Sequence, residues 1–72
     1  MDYTRNLKKY IGKKTDLISD PLDGSTPVLL KKSYFRFGET FAVFQAVNRK
    51  RRTFEIRIGS GDIDVLLPSF HK

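Results

Sequence analysis

The chain has 72 residues, with 14 Lys and Arg against 8 Asp and Glu, a formal net charge of +6 and a pI near 9.9. That length holds one small domain, and the charge balance favours a polyanionic partner through long-range attraction. There is no cysteine, so disulfides, thiolate nucleophiles and cysteine metal sites are excluded, and no apolar run approaches the roughly 20 residues a membrane span requires.

The opening segment predicts a short helix over 1–12. Tyr3, Leu7, Tyr10 and Ile11 share one helical face, with spacings of four, seven and eight from the first. Asp2 is placed to cap its start, and Gly12 to end it in the left-handed conformation. Lys8, Lys9, Lys13 and Lys14 cluster towards its C-terminal end, where they complement the helix dipole and form a basic patch. With Asp2 and Arg5 also present and no apolar stretch, these residues predict no secretory signal. The absence of cysteine fits a reducing compartment, and a cytoplasmic location is the default expectation.

Thr15–Ser19 reads as a short first strand. Residues 20–27, Asp-Pro-Leu-Asp-Gly-Ser-Thr-Pro, are dense in turn formers and predict an Asx-type turn or surface loop. Asp16, Asp20 and Asp23 lack the spacing of a calcium loop, so no metal or other cofactor is expected.

Val28–Phe37 predicts a longer strand whose alternation breaks at Lys31-Lys32. A bulge or bend reconciles its two halves. Gly38-Glu39 is expected to turn. In Thr40–Val47, Phe41, Val43, Gln45 and Val47 alternate with Ala42, Phe44 and Ala46. Both faces are largely apolar, so this strand is either central and buried on both sides or binds something with one of them.

Thr53–Ile58 alternates cleanly, with Phe54, Ile56 and Ile58 inward and Thr53, Glu55 and Arg57 outward. Gly59–Asp62 predicts a tight turn, Ile63–Leu67 a last short strand, and 68–72 a tail. The expected architecture is mostly β: a helix followed by a five-stranded antiparallel barrel over 15–67, SH3-like or Sm-like in shape, with an OB-type barrel as the alternative. The helix running into Ile11-Gly12-Lys13-Lys14, and the late Ile58–Ile63 turn, resemble the entry and exit of Sm-like proteins. That resemblance implies a fold only, because the Asp and Asn positions with which Sm-like proteins hold RNA bases are not recognisable between Lys31 and Val47. A core of this size supplies about 3–5 kcal/mol of net stability. The barrel then closes by itself, the chain forms a homo-oligomer, or a partner covers an exposed face.

No enzyme motif emerges. His71 is the single histidine and sits in the expected tail, so neither a zinc site nor a Ser-His-Asp arrangement can be assembled. Asp62 and Asp64 read as a solvated strand edge. Gly59-Ser60-Gly61 lacks the continuation of a phosphate loop.

Binding chemistry is better represented. Arg49, Lys50, Arg51 and Arg52 lie between two predicted strands, at the tip of a hairpin, which presents charge rather than burying it. They are expected to contact phosphates. Arg57 points outward. Tyr34 shares parity with Lys32 and Arg36, offering a ring for base stacking among cations. With Lys8, Lys9, Lys13 and Lys14 these residues are the expected nucleic-acid-binding set, for DNA or RNA. The alternative is a small regulator or protein-interaction module that docks on an acidic partner through a strand edge near Phe41–Val47 or through the N-terminal helix.

Overall fold

The computed structural model describes residues 1–48 and 52–72. Its order is α1 (Thr4–Lys8), β1 (Lys14–Thr15), β2 (Val28–Arg36), β3 (Glu39–Ala46), β4 (Thr53–Ile58) and α2 (Ser60–Ser69). The strands form one antiparallel sheet in the order β1-β2-β3-β4, curled into a half-barrel with a helix at each end of the chain.

Alternation along the strands decides which residues enter the core, because opposed residues in an antiparallel pair share a face. Val28 and Leu30 face Ala46 and Phe44, and Ala42 and Phe44 face Ile56 and Phe54. Leu7 of α1 and Ile63 and Leu66 of α2 complete this core, with Tyr3, Tyr10, Ile18 and Phe70 packed around it. Tyr10 and Phe70 stack at 5.1 Å between ring centroids, joining the two ends of the chain. Thr40, fully buried, ties the N-terminus down: its hydroxyl donates to the Met1 carbonyl and accepts from the Tyr3 N–H, each at 2.9 Å.

The expected bulge in β2 is present. Leu30 opposes Phe44 and Lys32 opposes Val43, leaving Lys31 without a partner in the register. The β2–β3 hairpin turns on Phe37 and Gly38, both at positive φ (54° and 75°), the signature of a type I′ turn. The first helix is shorter than expected, but Gly12 does adopt positive φ, at 92°. Asp2 lies one residue ahead of the cap position and accepts from the Thr4 N–H and hydroxyl. β1 is only two residues long, because the chain after Thr15 turns away into the 16–27 loop.

The expected fifth strand over 63–67 is a helix. Ile63, Leu66 and Leu67 lie on one helical face and pack on the core with Phe70 just beyond the helix, while Val65 is 55% exposed. The Asp62 carboxylate accepts the Gly59 N–H at 2.9 Å, and the Gly59 carbonyl receives the N–H of Ile63, so the first turn is closed from both sides. Pro68 sits in the last turn, near where the chain leaves helical geometry at Phe70. The segment expected as a free tail is tied as well: His71 and Lys14 exchange two backbone hydrogen bonds of 2.8 Å. The chain after α2 thus returns to the outer edge of β1. Ser69 donates to the Leu66 carbonyl, and the buried Thr15 hydroxyl lies 2.6 Å from Ser69 Oγ, fastening this return to the sheet.

Candidate nucleic-acid interface

Both helices pack on one face of the sheet. Its opposite face, on which no helix or strand among the described residues packs, carries Leu29, Lys32, Tyr34 and Arg36 of β2, Glu39, Phe41, Val43 and Gln45 of β3, and Thr53, Glu55 and Arg57 of β4; Val43 and Gln45 are buried within it. Lys14 opposes Leu29 and joins the same face. The β2 bulge adds Lys31, which lines an open groove with Lys14, Leu29, Gln45 and Val47. Two consecutive lysines, 31 and 32, therefore project from one side of the sheet, which strict alternation would forbid.

An aromatic pair lies in the middle of this face. Tyr34 and Phe41 are cross-strand partners, stacked with centroids 5.3 Å apart and planes 19° from parallel. The Tyr34 hydroxyl donates to the Glu55 carboxylate. That bond raises the phenol above its ordinary pKa, with burial and the negative charge of Glu55 acting in the same direction, so the ring is neutral and held flat against its neighbours. Arg57 stands beside Phe41 and pairs with Glu39 at 2.8 Å. Both partners are substantially exposed, and an exposed pair of this kind exchanges readily for another anion. Arg36 lies at the hairpin end, its guanidinium 4.8 Å from the Phe37 ring centroid.

The expected site residues separate into groups. Lys14, Lys32, Tyr34, Arg36 and Arg57 come together on the uncovered face. Lys8 and Lys9 are exposed on α1 and its following turn; Lys8 lines a groove with Arg5, Asn6 and the core-side Ser33, on the other side of the sheet. Lys13 lies at the junction between α1 and β1. Arg49, Lys50 and Arg51 lie outside the described residues. Arg52 is turned inward: its guanidinium donates to Asp20 at 2.8 Å and lies 3.6 Å from Asp23. Asp20 also accepts the Leu22 N–H, and Asp23 that of Ser25, the expected Asx-type turns. Among the described residues no group of three or more His, Cys, Asp or Glu is gathered to hold a metal ion.

Sequence reasoning did not place Phe41 or Lys31 in the nucleic-acid-binding set. The signal for Phe41 was present, since both faces of its strand are apolar and only one can meet the core. Lys31 is brought to this face by the bulge.

No protein-family model matches the chain, and comparison with curated proteins and with solved structures finds no match. No helix among the described residues is long and apolar enough to cross a membrane.

Proposed function

We propose that this chain is a nucleic-acid-binding module that holds a single strand on its uncovered sheet face. The observation that carries this reading is the stacked Tyr34–Phe41 pair, flanked by Lys31, Lys32, Arg36 and Arg57. Single-strand binding uses aromatic faces for bases and a cationic track for phosphates, and tolerates many sequences because every base has a π-face. A duplex buries its base faces and would leave the aromatic pair unused. Lys14 lies next to Leu29 at one end of the face and Arg36 at the other, which aligns the track with β2.

In this reading the chain is a cytoplasmic binding protein and not an enzyme. The curled sheet with its terminal helices is read as a variant of the small SH3-like or Sm-like barrel, an analogy of shape that assigns no activity. The second reading, docking on an acidic protein, draws on Phe37, which is 84% exposed at the hairpin tip beside Arg36. β3 pairs on both sides, so docking by strand addition near Phe41–Val47 is not open to a partner.

Fluorescence anisotropy with single-stranded and duplex DNA and RNA, titrated with salt, tests the proposal. Binding to single strands that Tyr34→Ala and Lys32→Glu/Arg36→Glu both weaken supports it. Absence of binding at low salt, or binding that these variants leave unchanged, overturns it.

A further inference from the structure

The two edges of the sheet differ. The outer edge of β1 is occupied by the returning tail through the paired bonds between Lys14 and His71. The outer edge of β4 pairs with no strand among the described residues. β4 contains no proline and pairs with β3 without a register shift, so it lacks two devices that commonly protect edges from strand addition. Beside it opens a largely apolar groove of about 360 Å³ lined by Leu17, Ile18, Ile56, Ile58, Val65 and Leu66, with Asp62 as its acidic residue. Leu17, at 52% exposure, and Val65 leave its rim uncovered.

We propose that the free edge of β4 is the interface for a second copy of this chain, joined antiparallel across a two-fold axis at Ile56. The charges of the strand select both the partner and the register. Side chains opposed across an antiparallel pair must share a face, so self-pairing is centred on a residue. Centring on Glu55 sets two glutamates against each other. Centring on Arg57 sets two arginines against each other. Centring on Ile56 places each Glu55 opposite the other copy's Arg57, twice over by symmetry, and on the core side sets Phe54 opposite Ile58. Opposite charges and aromatic–branched pairs both favour such a ladder. The interface is isologous and self-limiting, because a two-fold pair uses the same edge on both copies and closes on itself. The two half-barrels form one continuous sheet, with their uncovered basic faces on the same side and the groove rims at Leu17 and Val65 shielded across the axis. This inference does not rest on nucleic-acid binding and is tested in its absence.

Sedimentation equilibrium of the full chain at low ionic strength decides it, using the wild type, Glu55→Arg, Arg57→Glu and an equimolar mixture of the two variants. Each variant alone presents only like charges across the axis, and its dimer is expected to weaken by about tenfold or more. In the mixture every arginine again meets a glutamate, so a heterodimer tighter than either homodimer is expected. The double variant Glu55→Arg/Arg57→Glu restores the homodimer. Circular dichroism of each single variant, together with recovery in the mixture, separates loss of pairing from loss of folding. A wild type that stays monomeric up to about 1 mM, a dimer indifferent to the single variants, or single variants that weaken without recovery on mixing each overturns the proposal.

Discussion

Arg52 and Asp20, thirty-two positions apart, meet at 2.8 Å with the Asp20 side chain only 1% exposed. The guanidinium, first, and the Leu22 N–H, second, hold the Asp20 carboxyl below its ordinary pKa of 3.8. The pair clamps the 20–25 turn against the start of β4. It also commits Arg52, the last cation of the Arg49–Arg52 run, to a contact within the fold.

A pH dependence follows from this clamp. A carboxyl whose pKa is lower folded than unfolded stabilises the protein above its unfolded pKa, and that contribution is lost as the pH falls through the folded value. Stability from this source is expected to be flat from neutral pH down to about 5 and to decline below about 4. Urea denaturation across that range checks it, and Asp20→Asn should flatten the acid limb while lowering stability at pH 7. Arg52→Met strands a buried carboxylate and should lower the urea midpoint well beyond the effect of Arg57→Met, which removes one partner of an exposed pair.

The proposed interface predicts a moderate salt slope. If three to five phosphates are neutralised on a single strand, log K should fall against log salt with a slope of roughly −2 to −3.5. Tyr34→Ala removes a stacking surface with an expected cost of about 1–3 kcal/mol in binding, whereas Tyr34→Phe keeps the ring and should bind within about twofold of the wild type. Lys32→Glu/Arg36→Glu should reduce both affinity and slope, while Lys8→Glu/Lys9→Glu, on the other side of the sheet, should change the slope less. Anisotropy titrations at several salt concentrations measure all of these.

Phe37 is a bulky side chain at positive φ, a conformation that costs an L-residue about 1–2 kcal/mol and that asparagine tolerates. Phe37→Asn is therefore expected to raise stability by up to about 1 kcal/mol, read as a higher urea midpoint with an unchanged slope. A loss of stability would show that the contact between the Phe37 ring and Arg36 outweighs the backbone strain.

The helical phase of residues 60–69 is open to direct test. Val65→Lys should be tolerated, whereas Ile63→Lys and Leu66→Lys should unfold the domain. A strand would place 63 and 65 on the same face and make both substitutions equally damaging. Asp62→Ala, which frees the Gly59 N–H, should cost about 1 kcal/mol. Thermal denaturation followed by circular dichroism distinguishes these outcomes.

What the sequence determined by itself was local. Alternation at Phe54, Ile56 and Ile58, the break at Lys31-Lys32 and the left-handed Gly12 were all legible, because a two-residue period, a bulge and a positive φ are properties of neighbouring residues. So were the Asx turns at Asp20 and Asp23, and the shared parity of Lys32, Tyr34 and Arg36. Tertiary structure decided the rest. Residues 63–67 form an apolar run short enough to suit a strand or a helix, and the Gly59–Asp62 cap together with the core surface left beside β4 selected the helix. β3 is apolar on both faces, and only the packing of α1 and α2 on one of them left Phe41 and Tyr34 half-buried on the other. Arg52 belonged by sequence to a basic run, and its turn towards Asp20 depends on a loop brought near by folding. Such long-range pairings have no local signal, because the energy of a buried ion pair depends on which distant groups share its burial.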